Sequence, residues 1–201
     1  MRVLHLLATD RRRGAEVFAV ELARALQGRT APDGSTIDNR LAALAAAGGD
    51  ARLEVPVPAR ASRTDLVRTA DVVVGHGSRT ARVARRRRRP PFVYRVIGDP
   101  RHWSGRPDRR LRVARALRRA ERIAVYDPRT AEAVVDHLGL DPDRIRVIPK
   151  GIDTAAHRVP TPDRVASARR RWGLPTEAPV AVWCGSLSAE KDPLTAVDAA
   201  A

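Results

Sequence analysis

The chain alternates short β-branched runs with longer stretches in which alanine and leucine recur among arginines. Six runs read as strands: residues 2–7, 72–75, 92–97, 122–126, 145–148 and 180–184. Val72-Val73-Val74 is continuously apolar, the pattern of a strand covered on both faces. Six stretches read as helices: residues 15–26, 79–86, 109–119, 129–138, 163–171 and 194–201. In the first of these, Val17, Val20, Leu22 and Leu26, with Ala23, form an apolar stripe suited to a sheet. Residues 39–45 and 53–55 also fit strands, although the alanine-rich stretch 41–47 has good helix propensity. Strands alternating with helices predict βαβ units, hence an α/β fold with a doubly wound, Rossmann-like parallel sheet.

Turn chemistry divides the chain. Residues 28–35, 99–107 and 149–162 read as loops rich in glycine or proline. The last of them separates a predicted N-terminal domain (1–150) from a linker and helix (151–179) and the start of a second domain (180–201). Gly139-Leu140-Asp141-Pro142 reads as a helix end and restart. The arginine run at 85–89, before Pro90-Pro91, reads as a solvated connection.

Composition narrows the picture. Hydrophobic residues make up 43% of the 201 positions but aromatics only 3%, so alanine, valine and leucine must fill the core. No apolar run is long enough to span a bilayer. The apolar stretch 3–8 is too short for a signal peptide and runs into Asp10 and three arginines, so a cytoplasmic protein is expected. The single cysteine, Cys184, falls in a predicted buried strand and has no partner for an internal disulfide.

The formal charge of +15 suggests nucleic acid at first sight. Yet Lys150 and Lys191 are the only lysines, and the arginines are spread along the chain with few aromatics between them. An arginine- and alanine-rich coding bias accounts for this better than base stacking does, so nucleic acid is not the expected partner. The stretch 109–119 places Arg112, Arg115 and Arg119 on one helical face and Leu111, Ala114 and Leu117 near another. It reads either as a solvated helix or as peripheral contact with an anionic inner membrane face, although its apolar residues are small for an interfacial helix.

Two places combine a strand, a glycine and a helix start, where backbone N–H groups can meet phosphate oxygens. One holds Gly14, which either lets the chain turn or allows close approach of a diphosphate. The other holds Gly185, Ser186 and Lys191, with Lys191 adding a cation or, with Glu190, merely decorating a first turn. His76, in Val74-Gly75-His76-Gly77-Ser78, ends a strand at the edge where such sheets bind ligands. It either finds backbone partners or handles a hydroxyl and its proton. His76 and Ser78 are not a hydrolase pair, because Gly-x-Ser-x-Gly is absent. The five histidines show no metal-ligand spacing, so neither metal nor cofactor is expected.

These motifs, taken in order, resemble the retaining GT-B glycosyltransferases of family 4. That family writes Gly-Gly-Ala-Glu at the first helix, where this chain has Arg13-Gly14-Ala15-Glu16. Its hinge pattern, a proline and Asn-Gly-Val-Asp, appears as Pro149-Lys150-Gly151-Ile152-Asp153. Its Gly-Arg-Leu and Glu-Lys-Gly appear as Gly185-Ser186-Leu187 and Glu190-Lys191-Asp192. The resemblance implies transfer of a sugar from a nucleotide diphosphate sugar to a glycan or lipid acceptor, without metal. The chain would be the acceptor-side GT-B domain plus the first strand-helix unit of the nucleotide-sugar domain, and inactive alone. It implies that Gly14, Gly185, Ser186 and Lys191 hold the donor diphosphate, with serine replacing the usual arginine at 186. Relatives carry a histidine near the reacting sugar where this chain has Ile97 or Gly98. Asp99 and His102 just beyond are candidates to contact sugar hydroxyls, and Trp103 either stacks on a sugar or plugs the loop. Two readings compete with an active transferase: a basic module for anionic lipid or nucleic acid, and a non-catalytic remnant.

Overall fold

The computed structural model describes residues 1–48, 51–85, 90–185, 187 and 191–200. The chain forms two compact units, Met1–Lys150 and Gly151–Ala201. In the first, strand β1 (Arg2–Leu7) leads through helix α1 (Gly14–Leu26) to β2 (Asp38–Ala43), and α2 (Arg60–Thr69) leads to β3 (Val72–His76). A 3-10 segment (Thr80–Arg85) precedes β4 (Phe92–Arg95), followed by α3 (Pro100–Trp103) and α4 (Pro107–Leu117). Then come β5 (Arg122–Val125), α5 (Pro128–Leu138), a 3-10 turn (Pro142–Arg144) and β6 (Ile145–Val147).

Among the described residues the strands form one sheet in the order β2-β1-β3-β4-β5-β6. Every neighbouring pair is parallel. The α/β, Rossmann-like parallel sheet expected from the alternation of patterns is therefore the fold. The chain leaves β1 toward β2, then returns to lay β3 on the other side of β1. That reversal opens a crevice at the carboxyl ends of β1 and β3, where open parallel sheets bind ligands.

Side chains alternate between the two faces of the sheet. One face carries Leu4, Leu6, Val73, Phe92, Tyr94, Ile123 and Val125, packed with Ala114 and Leu117 of α4 and Val134 and Leu138 of α5. Burying one such aliphatic side chain contributes about 1.5–3 kcal/mol. The opposite face is smaller, with Leu7 and Ala43 lying under Ala19 and Val20 of α1. Phe92 and Tyr94 supply bulk in a core otherwise built from aliphatics, as the scarcity of aromatics required.

The ambiguous stretch at 39–45 forms strand rather than helix. Six consecutive residues of β2 pair with all six of β1, and this pairing overrides the helix propensity of its alanines. Residues 53–55 are not a strand, although Leu53 and Val55 pack under the α1 face. The unforeseen helix α2 has no clear apolar periodicity, because Leu66 and Val67 are neighbours among polar residues. Helix α3 lies in the segment read as a loop, started by the Asp99 cap and Pro100.

In the second unit, α6 (Pro162–Trp172) starts at Thr161 and ends at Gly173, whose φ of 62° suits glycine. Helix α7 (Pro193–Asp198) follows. The strand expected at 180–184 is not formed, and Cys184 is exposed rather than buried. A strand needs a neighbour to satisfy its backbone, and the described residues of this unit contain no other strand. Most of the arginine run at 85–89 lies outside the described residues. No helix among the described residues is long and apolar enough to cross a membrane.

Gly75 sits where the sheet leaves no room. A Cβ there would come within 2.5 Å of Thr80 Oγ1 and 2.6 Å of Phe92 Cζ. Gly75→Ala should therefore destabilise the first unit by about 1–3 kcal/mol through overpacking. Urea unfolding measures this, and an unchanged midpoint would contradict the packing described.

Candidate functional site at the carboxyl edge of the sheet

Register brings a row of polar side chains onto the α1 face. Val3 pairs with Asn39, Leu7 with His76, and His76 with Arg95. His5, two residues before Leu7, shares its face. The row Asn39, His5, His76, Arg95 thus crosses β2, β1, β3 and β4 in order. His5 and His76 are each only 1% exposed. Their rings stack with centroids 5.4 Å apart, and His5 Nδ1 lies 3.1 Å from His76 Nε2. His5 Nε2 lies 3.0 Å from Asn39 Oδ1.

This chain of contacts fixes where the protons sit. An amide oxygen only accepts, so His5 donates from Nε2 to Asn39. A neutral imidazole has one N–H, so His5 Nδ1 accepts and His76 donates from Nε2. His76 Nδ1 is then a bare acceptor, buried and without a partner. Both histidines are held neutral. Burial lowers the pKa of His5, with the Asn39 hydrogen bond opposing. Burial lowers that of His76 well below 6.5, helped by His5 and Arg95.

Arg95 closes the row. Its guanidinium carbon lies 3.8 Å from the centre of the Phe18 ring on α1. Its Nη1 is buried and lacks a hydrogen-bond partner. Burial lowers its pKa to about 10, with Tyr126 opposing the shift. Tyr126, just beyond β5, carries Lys150 Nζ 4.7 Å from its ring centre. Glu16 is also buried, with Oε2 unpartnered. Burial raises its pKa, against its own backbone N–H and Arg13.

At the start of α1, Arg13 makes no side-chain cap hydrogen bond. A Cβ on Gly14 would meet nothing within 4 Å. The helix thus presents uncapped N–H groups beside an open glycine. The preceding loop is tied down: buried Asp10 accepts the Ala47 N–H at 2.5 Å, and the Leu53 N–H donates to the Asp10 carbonyl. Immediately after His76 the chain turns at Gly77, whose φ of +92° favours glycine.

The other candidates are placed as follows. The Asp99 carboxylate caps α3, accepting the Arg101 N–H at 2.8 Å. His102 is exposed on the same short helix. Trp103 packs against the main core, and its indole N–H donates to the Gly98 carbonyl at 3.5 Å. Gly185 and Lys191 belong to the second unit, Lys191 shortly before α7. A Cβ on Gly185 would come within 2.8 Å of the Trp183 ring. Ser186 and Glu190 lie outside the described residues. On α4, Arg109, Arg110, Arg112 and Arg115 are exposed while Ala114 and Leu117 are buried. Among the described residues no three His, Cys, Asp or Glu side chains cluster as metal ligands would.

The profile of Glycosyltransferase Family 4 matches residues 12–156. The chain belongs to glycosyltransferase family 4. The chain is similar to the D-inositol 3-phosphate glycosyltransferase of Acidothermus cellulolyticus, 44% identical over 82 residues, covering 41% of this chain and 18% of that protein. The protein of the same name from Geodermatophilus obscurus is 36% identical over 109 residues, covering 53% and 22%. Among solved structures, Anabaena HepE in complex with UDP-glucose aligns with a TM-score of 0.64 at 18% identity, covering 86% of this chain and 50% of that one. A glycosyltransferase from Rickettsia africae aligns with a TM-score of 0.61 at 12% identity, covering 98% and 56%. At these identities the two structures speak for the fold. The chain spans about half of their length.

Sequence reading singled out His76 but missed His5, Asn39 and Arg95. The signal for Arg95 was a charge inside Phe92-Val93-Tyr94-Arg95-Val96-Ile97, a run otherwise suited to complete burial.

The neutral histidine pair sets a pH dependence. Both folded-state pKa values lie below the unfolded value, so the unfolded chain takes up protons first as pH falls. Stability should be full above about pH 6.5 and decline below it, by up to about 1.4 kcal/mol per pH unit for each histidine. Urea unfolding between about pH 7.5 and 5.5 should show the decline, and His76→Gln should reduce its slope. A flat profile in the parent would contradict a buried neutral pair.

Proposed function

We propose that this family 4 chain is the acceptor-side part of a metal-independent, retaining hexosyltransferase of GT-B architecture. The enzyme would move a sugar from a nucleotide diphosphate sugar to a glycan or lipid acceptor. The observation that carries this reading is the uncapped, open start of α1 beside the switch point of the sheet. Its N–H groups and dipole favour a diphosphate by about 0.3–1 kcal/mol at an exposed end, and more where water is excluded. HepE, which shares the fold, was crystallised with UDP-glucose, UDP, and UDP with glucose, which supports a nucleotide sugar as donor.

In this proposal Gly14 admits the donor diphosphate to the α1 backbone. Gly185, Ser186 and Lys191 also bind the donor diphosphate, and residues 180–201 begin the nucleotide-sugar domain after a linker at 151–179. His76 handles an acceptor hydroxyl. Asp99 and His102 stay in proposed contact with sugar hydroxyls, although the carboxylate of Asp99 already serves as a helix cap. The protein would work in the cytoplasm. The exposed arginines of α4 favour a subsidiary reading, peripheral contact with an anionic inner membrane face. The relatives named for D-inositol 3-phosphate favour a phosphorylated polyol as the acceptor.

The decisive assay mixes a labelled UDP-sugar with polyol, glycan and lipid acceptors. The 201-residue chain alone should give no transfer, because it spans only about half the length of the glycosyltransferase structures it resembles. A longer protein carrying it should transfer, and Gly14→Val should lower its kcat/KM by about tenfold or more by closing the approach to the α1 amides. Turnover by the 201-residue chain, or full activity in Gly14→Val, would refute this assignment.

A further inference from the structure

Arg95 is an expensive residue to place where it stands. Only 9% of it is exposed, at the end of a strand whose other positions are largely apolar. The described ion pairs of this protein are made by other arginines, and none includes Arg95. A buried cation is normally paired, because desolvation is otherwise left uncompensated. The Phe18 ring under the guanidinium provides a partial substitute. It does nothing for the N–H of buried Nη1, which has no acceptor. An aliphatic residue would satisfy the strand at lower cost.

The neighbouring position is equally incomplete. His76 is the direct cross-strand partner of Arg95. The Asn39–His5–His76 hydrogen bonds turn its Nδ1 into an acceptor, also buried and unpartnered. The row thus ends in a donor and an acceptor on adjacent strands. A bridging water would serve the two nitrogens but leave the charge of Arg95 uncompensated. Guanidinium planes match phosphate oxygens two at a time. A hydroxyl donating to His76 Nδ1 would complete the second half.

We propose that Arg95 is the specificity-determining residue for the acceptor, binding its phosphate monoester, while His76 positions an acceptor hydroxyl beside it. The inference rests on the sugar-transfer reading and deepens it. It predicts that the phosphate is read by a dry, pre-stacked arginine rather than by the exposed arginines of the surface. Salt should therefore weaken binding less than it would at a solvent-exposed cluster. Two phosphates are available in such a reaction, the acceptor's and the donor's, and the proposal commits to the acceptor's.

Calorimetric titration of the 201-residue chain with myo-inositol 3-phosphate, myo-inositol and UDP tests this. The phosphorylated polyol should bind at least tenfold more tightly than myo-inositol. Arg95→Met should erase that difference, Arg95→Lys should restore part of it, and any UDP affinity should be unchanged in both. His76→Gln should weaken both polyols equally and keep the preference for phosphate. Without ligand, Arg95→Met should melt at the same temperature as the parent or higher, since it removes an unpaired buried charge. Unchanged phosphate preference in Arg95→Met would overturn the inference while leaving sugar transfer standing. Loss of UDP binding instead would assign Arg95 to the donor and overturn it too. A lowered melting temperature with the phosphate preference intact would make Arg95 a structural residue. Binding of neither polyol, with no transfer in the longer protein, would sink both readings.

Discussion

In-register parallel pairing of β1 with β3 and of β3 with β4 is the constraint from which the site follows. Because the strands are parallel and unshifted, residues with matching alternation fall on one face. That geometry puts Asn39, His5, His76 and Arg95 in a line under α1 and reserves the other face for the main core. A shift of one residue in β3 would exchange His76 with Gly75 and drive an imidazole into the space that Phe92 and Thr80 fill. Gly75 therefore helps to set the polar row from the opposite face of the sheet.

The polar row also limits the chemistry of this edge. Two stacked imidazoles next to an unpaired guanidinium cannot readily take up a proton, so the edge is a place of fixed hydrogen-bond direction rather than of variable charge. Its positive charge comes from Arg95, with Lys150 stacked on Tyr126 nearby in the fold. The many surface arginines, several of them paired with aspartates at 2.7–4.0 Å, contribute little that is specific. Formal charge thus points to no particular place on the chain, whereas the buried Arg95 does.

Strands were legible in the sequence wherever burial on both faces wrote a continuous apolar run, as at 72–74 and 123–125. β2 was ambiguous because alanine suits either state locally, and only pairing with β1 decides it. The stretch at 180–184 carries the same apolar pattern but has no strand beside it among the described residues, so pattern alone misled. Within the site, His76 and Gly14 stood out through position at strand ends. His5 was hidden in the middle of an apolar run, and its role exists only because β3 returns beside β1. Asp99 was read toward sugar, yet its carboxylate caps a helix, while the Trp103 hydrogen bond to Gly98 fits the loop-plugging alternative offered for that residue.

The direction of the hydrogen bonds along Asn39, His5 and His76 is the claim nearest the centre. Nitrogen-15 chemical shifts of the two imidazoles at neutral pH report it directly. The account requires His76 to be protonated at Nε2 with a bare Nδ1, and His5 likewise. Protonation of both rings at Nδ1, as a rotated Asn39 amide would impose, would turn His76 Nδ1 from an acceptor into a donor and would contradict it.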